Sequence, residues 1–349
     1  MQTKVWEVAV FFRNGSVFAT IAAILSLSFV TSSFAQHAEL QPAPQVRLPG
    51  ATDSNNPAHW RDGRFAIFQS MGLPLVSEGS SQTELKARPV ILNSYTHYPL
   101  WIEATWFDED GTLYAWYHHE QWVCSNGLSS PTIGALASRD GGHSFVDLGL
   151  IMESGYTKDC GAQNGFFAGG HGDFTVLLDP WRQYFYFYFT NYGGPLDSQG
   201  VALARMAFRD RANPKGRVWK FHRDGWGEPG LGGQVTAVLP ARASWNRPDT
   251  DSFWGPSLHW NTFLNQYVML LNRACCSPGW PAEGIYISFN TDLSNPYSWS
   301  EPEKILDSDQ ARWYPQVIGS RPDGTDKLAG ETARFYMGGD SRWRIFFSY

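Results

Sequence analysis

Residues 169–192, GGHGDFTVLLDPWRQYFYFYFTNY, contain the pattern that the rest of the chain repeats. The stretch reads as a polar loop with His171 and Asp173, an apolar strand at 174–178, a polar turn at 179–183 and an aromatic strand at 184–192. Runs of Phe, Tyr and Val bounded by Gly, Asp and Pro are typical of strands in antiparallel sheets. We expect chemistry in the polar loop that leads into the first strand.

Four other segments follow the same order of loop, strand, turn and strand, and the five units begin near residues 53, 101, 170, 252 and 313. Spaced self-similarity indicates a repeat architecture, and the unequal steps indicate loop insertions. The sequence therefore predicts an all-β fold: a five-bladed β-propeller with four-stranded antiparallel blades around a central channel. The last repeat shows about three strands, so we expect residues 36–50 to supply its outer strand.

Residues 1–35 are typical of a signal peptide. Lys4 and Arg13 precede an apolar run at 17–30, and residues 33–35 give a small-x-small cleavage pattern ending at Ala35. A membrane anchor is the competing interpretation, but the run is shorter than the roughly 20 residues that span a bilayer. The mature chain, residues 36–349, is then predicted to be one propeller domain that is secreted or periplasmic, monomeric and free of the membrane.

The composition narrows the class of partner. A net charge of −6 gives no basic surface for nucleic acid. The chain has 16 Trp, 15 Tyr and 23 Phe, and aromatic faces stack on sugar rings, although the same side chains also fill the interfaces between blades. We therefore expect a carbohydrate partner.

Four cysteines in an exported chain predict disulfides. Cys124 with Cys160 is the favoured pair, and these cysteines should staple loops around the mouth of the channel. Cys275 and Cys276 would then be free thiols or an adjacent bridge. Their spacing matches no structural zinc pattern.

Residues 138–145, SRDGGHSF, fit the Asp-box pattern S-x-D-x-G-x-S-F. Its aspartate, Asp140, is expected to cap a tight turn. We place this turn between the third and fourth strands of the second blade, on the face opposite the repeat starts, with a structural role.

The inner strands of all blades start at one end of the channel, so their first residues should converge there, together with the ends of the second strands. Among the carboxylates, Glu103 lies between Ile102 and Ala104 and would be unusual unless it faced the channel. The aspartates at the other ends of the inner strands, Asp62, Asp108 and Asp179, are expected to be turn caps. The converging candidates are Asp53, Asn55, His59, Glu103, His118, His119, Glu120, His171, Asp173, Asn191, Asp251, Trp254, His259, Asn272, Arg273, Arg312, Trp313 and Tyr314.

Several acids around an aromatic pit are what glycoside cleavage needs. One carboxylic acid protonates the leaving oxygen, while a carboxylate activates water or attacks the anomeric carbon. Their separation, about 5–5.5 Å for retention and about 6.5–9.5 Å for inversion, sets the stereochemistry.

With these repeats and acids, the chain resembles the five-bladed propeller glycoside hydrolases of the arabinanase and β-xylosidase type, families 43 and 62. The resemblance implies an inverting mechanism with Asp53 as general base and Asp173 as the group that orients and tunes the acid. The family's general acid is a Glu on the fourth blade, and the stretch DTDSFWGPSLHW at that place has none. The proton donor is therefore expected to be Asp251 or Glu103.

The sequence favours a secreted glycoside hydrolase acting on a polysaccharide or oligosaccharide, without a cofactor. The sequence leaves open whether a divalent cation binds in the channel, held by His171 or waters. The residues expected to contact substrate are His171, Trp254, His259, Arg273, Trp313, His118 and Glu120. Two alternatives remain: a non-catalytic glycan-binding propeller, and a sialidase-like exo-glycosidase, which would bring Arg273, Arg312 and Arg342 together.

Overall fold

The computed structural model describes residues 36–349, which form five sheets built mainly from antiparallel strands. The five-bladed propeller predicted from the repeats is confirmed. The signal-peptide prediction for residues 1–35 lies outside the described residues. Within the described part, no helix is long and apolar enough to cross a membrane. Its helical elements are two short 3-10 turns, Leu196–Ser198 and Phe208–Asp210.

Each blade has an inner strand at the channel, and its further strands follow outwards. Blade one consists of Ala58–Arg61, Arg64–Ser70, Pro74–Gly79 and Leu85–Pro89. Blade two consists of Leu100–Phe107, Leu113–Trp122, Ser129–Ser138 and Ser144–Met152, with Ile91–Leu92 added in parallel at its edge. Blade three consists of His171–Leu178, Tyr184–Asn191, Gly200–Ala207 and Val218–His222, extended by Gly225–Pro229 and Ala237–Pro240.

The last two blades complete the ring. Blade four consists of Ser252–Asn261, Gln266–Ala274, Ala282–Asn290 and Glu303–Asp307, and Leu328–Ala329 pairs in parallel with its inner strand. Blade five consists of Pro315–Gly319, Thr332–Met337, Asp340–Ser348 and the N-terminal strand His37–Arg47. His37 pairs with Ser348 and Arg47 with Asp340, which confirms that the N-terminal stretch supplies the missing outer strand.

Aromatic and branched side chains fill the spaces between adjacent blades. Trp116 on blade two, for example, packs edge-on against Phe187 on blade three, with ring centroids 5.6 Å apart. Both residues belong to one continuous buried cluster. Because each sheet buries both faces against its neighbours, its strands read as nearly continuous apolar runs. Most of the aromatic residues therefore serve blade packing.

The turn at 138–145 joins the third and fourth strands of blade two. One oxygen of Asp140 accepts hydrogen bonds from the backbone N–H groups of His143 (3.0 Å) and Ser144 (2.9 Å). Phe145 is buried against the neighbouring blade. Partial burial alone would raise the pKa of Asp140, but the hydrogen bond from the Ser144 hydroxyl, together with these backbone bonds, holds it at about 2. The turn is thus a capped structural element, as the sequence predicts.

Both pairs of cysteines are bonded. Cys124 is joined to Cys160, as expected, with 5.6 Å between the Cα atoms. Cys275 is joined to its neighbour Cys276, so the adjacent bridge is the alternative that the structure adopts. The first bond ties the end of blade two's second strand to the loop that precedes blade three.

Candidate active site

Two inner strands carry a β-bulge where they enter the channel, and each bulge holds an acid. In blade two, Ile102 and Ala104 pair with successive residues of the second strand, so Glu103 is the extra, unpaired residue. In blade three the same break isolates Asp173, whose φ of 42° lies in the left-handed region. A bulge turns its extra residue out of the regular alternation of side chains, and a non-glycine residue at positive φ costs energy that functional sites often store. Both acids consequently point into the channel.

Glu103 is buried and fully engaged. Its Oε1 lies 3.1 Å from Nδ1 of His118, and its Oε2 accepts the backbone N–H of Phe174 at 2.8 Å. Burial raises the pKa of Glu103 to about 7, against the opposing hydrogen bond with His118. With 1% of its surface exposed, Glu103 has no free oxygen for a substrate. These contacts favour a role for Glu103 in fixing His118 over the expected role as proton donor.

His118 lies among three carboxyl groups. Besides Glu103, the Oδ1 of Asp173 is 3.9 Å from its Nδ1, and the Oε1 of Glu120 is 3.6 Å from its Nε2. Burial by itself lowers the pKa of His118, but the bond to Glu103 and the surrounding negative charges raise it to about 9. The raised pKa favours the imidazolium form of the ring, whose charge offsets part of the negative charge of the site.

The same cluster is where a cation would bind. Donor atoms of Glu103, His118 and Asp173 lie within 4.8 Å of one another. A metal ion would have to displace the His118 proton, because only a neutral imidazole ligates a metal. His171, the sequence-based candidate for such a role, does not belong to this group.

Asp173 is held in one orientation. Its Oδ2 accepts a hydrogen bond from the Tyr192 hydroxyl, and its backbone carbonyl lies 3.3 Å from the hydroxyl oxygen of Thr190. Burial, followed by the charge of Asp173, raises the pKa of Tyr192 well above its usual value, so the phenol stays a donor. Sequence reasoning missed Tyr192, although it closes the aromatic strand of the quoted repeat.

Asp53 and Glu120 are the more accessible acids. Burial and the charges of Asp173 and Glu120 raise the pKa of Asp53 to about 6. The Glu120 side chain is 28% exposed and accepts a hydrogen bond from the Ser129 hydroxyl at 3.0 Å. Burial also raises the pKa of Glu120, with Asp173 adding to the effect. Two coupled carboxyl groups that a substrate can reach thus lie beside the buried group of Glu103, His118 and Asp173.

A cavity of about 720 Å³ adjoins Asp53. Trp280, Trp313 and Tyr314 line it, and Trp313 is partly exposed there. Trp254, by contrast, is 1% exposed beneath these rings, 5.5 Å from the Trp313 centroid. Trp313 is therefore available for stacking on a sugar. Trp254 is buried beneath Trp313 and packs against its ring, which favours a supporting role over the expected stacking role.

Asp251 and Arg273 bind each other. The guanidinium donates two hydrogen bonds to the Asp251 carboxylate, at 2.8 and 2.9 Å, and lies 3.5 Å from Glu283. Such a two-pronged ion pair occupies both partners. The ion pair favours a structural role for both residues over the expected roles of Asp251 as proton donor and of Arg273 in substrate binding. Arg342 pairs with Asp340 and lines one small cavity with Arg312, whereas Arg273 is bound to Asp251 and does not line that cavity.

Two of the predicted histidines, His171 and His259, lie in the blade interfaces. His171 is fully buried against Phe189, with ring centroids 4.7 Å apart, and burial lowers its pKa well below the usual value. His259 is fully buried against Phe347, and burial lowers its pKa to about 3. The expectation that these two histidines contact substrate is corrected, because burial leaves them neutral and out of reach.

Asn55 ties the site together across the channel. Its amide nitrogen donates to the backbone carbonyls of Phe174 on blade three and Pro256 on blade four, each at 3.0 Å. The inner strand of blade four also breaks its register between Trp254 and Ser257, and this segment carries Gly255 and Pro256 in place of an acid. The geometry confines the carboxyl groups of the site to blades two and three and to the segment preceding blade one.

No family model and no curated protein matches the sequence. Among solved structures, the endo-arabinase from Bacteroides thetaiotaomicron VPI-5482 matches with a TM-score of 0.52 at 11% identity, over 87% of this chain and 96% of that one. An exo-1,5-α-L-arabinanase from a bovine ruminal metagenomic library matches with a TM-score of 0.48 at 13% identity, over 85% of this chain and 95% of that one. An exo-β-1,3-galactanase from Clostridium thermocellum matches with a TM-score of 0.47 at 12% identity, over 86% of this chain and 61% of that one. At such identities, the match to the endo-arabinase shows a shared fold.

Proposed function

We propose that the chain is a secreted glycoside hydrolase that cleaves O-glycosidic bonds in a polysaccharide or its oligosaccharides. The observation that carries this proposal is the pair Asp53 and Glu120. Both are accessible, both have a raised pKa, and they are close enough for the charge of Glu120 to act on Asp53. Carboxyl groups whose pKa values are raised by burial and by neighbouring acids are what acid/base cleavage of an acetal requires.

The two groups take different roles. Asp53 is the general base, because it is ionised above about pH 6 and can take a proton from the water that attacks the anomeric carbon. Glu120 is the general acid and gives its proton to the leaving oxygen as the glycosidic bond breaks. Burial and the negative charge on Asp173 help to keep Glu120 protonated, since like charges disfavour a second ionisation.

The buried residues position this pair. Glu103 orients His118, and the His118 ring lies between Asp173 and Glu120. Tyr192 holds Asp173, whose charge raises the pKa of both accessible acids. Asp173 is thus the tuning group, as the family resemblance implies. Trp313 provides a ring on which a sugar can stack beside Asp53.

The fold shared with an endo-arabinase makes arabinan the first substrate to test. The purified chain is incubated with arabinan, arabinogalactan and xylan, and new reducing ends are measured. The intact chain should release reducing ends from at least one polysaccharide. Asp53→Asn should lower the rate about 10²–10⁴-fold, the usual contribution of a general base. Asp251→Asn is the matched control and should keep most of the rate.

The absence of an acid from the inner strand of blade four favours a second candidate, a glycan-binding protein without catalysis. The same panel separates the two. Binding to a polysaccharide without any release of reducing ends by the intact chain would establish the second candidate and refute the first. Equal rates for the intact chain and Asp53→Asn would refute the roles assigned here.

A further inference from the structure

A second aromatic cavity lies between blades three and four, on the face of the propeller opposite the acids. Its volume is about 280 Å³. Asp173 lies near the start of the inner strand His171–Leu178, while Asp179 follows its end and lines the cavity. Six residues of strand separate the two places by roughly 20 Å. A ligand in this cavity would therefore not touch the proposed active site.

The walls are aromatic rings held in fixed positions. The Arg205 guanidinium lies 4.4 Å from the ring centroid of Tyr184 and 4.4 Å from that of Trp226. This contact fixes both rings and occupies the cation position between them, so the cavity is not free to act as a cage for a ligand cation. Trp181, on the turn after the inner strand, is 75% exposed and lines the same cavity.

Hydrogen-bonding groups line the same cavity. Tyr186 and Tyr267 have buried rings and belong to the lining. Burial, followed by the charges of Asp179 and Asp292, raises the pKa of Tyr267 to about 12, so its hydroxyl stays a donor. Asp292 is exposed and uses one oxygen, Oδ1, for Ser294. Phenol donors and carboxylate acceptors beside flat apolar rings match the alternating hydroxyl groups and C–H faces of a sugar.

We propose that this cavity is a secondary binding site for a neutral sugar unit of a polysaccharide chain. Two aspartates and one arginine line it, so its charge disfavours acidic sugars. Pockets that combine aromatic walls with a few well-placed polar groups are the usual form of a small-ligand site. The site holds the protein on a long glycan while the opposite face stays free. This inference does not depend on catalysis.

The test measures binding and cleavage separately. Trp181→Ala removes an exposed ring, so folding is not at stake. Tyr95→Ala is the matched control because Tyr95 is 68% exposed and lines neither cavity. Both changes are made in the Asp53→Asn chain and in the intact chain. Affinity electrophoresis of the Asp53→Asn chains in gels with arabinan, arabinogalactan or xylan measures binding. Reducing-end assays of the intact chains use a trisaccharide and the polysaccharide.

At least one gel should retard the Asp53→Asn chain, and Trp181→Ala should weaken its apparent affinity about tenfold, the effect of losing a central aromatic contact. Tyr95→Ala should not change it, and Trp181→Ala should leave trisaccharide cleavage unchanged. Equal retardation of the two variants, or no retardation in any gel, would overturn the secondary site. Failure of cleavage alone would overturn the proposed function and leave the binding result intact.

Discussion

Replacing Asp53 with asparagine should stabilise the fold at neutral pH while abolishing cleavage. Asp53 has a pKa of about 6 in the folded chain against 3.8 for the free side chain, because of burial and then repulsion by Asp173 and Glu120. Because the folded-state pKa is raised, the carboxyl group favours folding only when protonated. Stability is therefore lost as the pH rises from about 4 through about 6.

The magnitude follows from the two pKa values. At 1.36 kcal/mol per pH unit, ionised Asp53 costs the folded state about 3 kcal/mol above pH 7, an upper bound because the side chain is partly solvated. At pH 4.5 the same relation gives a cost to the folded state of about 1 kcal/mol. Asparagine removes this cost and keeps the size of the side chain. Asp53→Asn should therefore gain up to about 3 kcal/mol at pH 7.5 and about 1 kcal/mol at pH 4.5.

The assay is urea unfolding of the intact chain and Asp53→Asn at pH 4.5 and 7.5. The informative quantity is the change in the stability difference between the two pH values, which cancels any effect common to both. Asp251→Asn is the contrast. It leaves Arg273 without its two-pronged partner in a partly buried pair and should destabilise the fold by about 1–3 kcal/mol at pH 7.5. An equal loss of stability by Asp53→Asn at both pH values would refute the reasoning.

Three further predictions concern the proton donor, the tuning group and the disulfide. Glu120→Gln should lose cleavage of natural glycans about 10²–10⁴-fold yet retain most activity on dinitrophenyl glycosides, whose leaving groups need no proton; equal losses on both substrates would contradict its role as acid. Asp173→Asn removes a negative charge that raises the pKa of Asp53, so the acid limb of the pH–rate profile should move from about 6 to lower pH by about one unit; an unmoved or raised limb would count against the tuning role. Reduction of the Cys124–Cys160 bond, which closes a loop of sequence separation 36, should lower the free energy of unfolding by about 2–4 kcal/mol, as measured by the unfolding midpoint of Cys124→Ala/Cys160→Ala; an unchanged midpoint would contradict it.

The blades were predictable because local pattern specifies them. Alternation of aromatic strands with Gly, Asp and Pro turns reports each strand pair directly, so the repeat starts near 101, 170, 252 and 313 lie within two residues of the observed inner strands. The first repeat, placed near 53, begins its inner strand at Ala58. The segment before it, which carries Asp53 and Asn55, is an extended loop whose polar sequence gives no strand signal.

The site was only partly predictable, because bulges break the alternation of side chains. His171 and Asp173 are two residues apart and would share a face in a regular strand. The bulge at Asp173 separates them, so Asp173 points into the channel and His171 into the blade interface. A bulge depends on the pairing with the neighbouring strand, which a single sequence does not report. The Asp251–Arg273 pair could have been predicted from the sequence. The hairpin pairing places Phe253 opposite Arg273, so Asp251, two residues before Phe253, lies on the same face as Arg273.

The most direct test of the central claim is the rate at which Asp53→Asn, Glu120→Gln and Asp251→Asn release reducing ends from the polysaccharide that the intact chain cleaves. The account predicts that the first two variants lose at least about 10²-fold while Asp251→Asn stays within about threefold of the intact chain. A large loss in Asp251→Asn, with Asp53→Asn and Glu120→Gln unaffected, would contradict it.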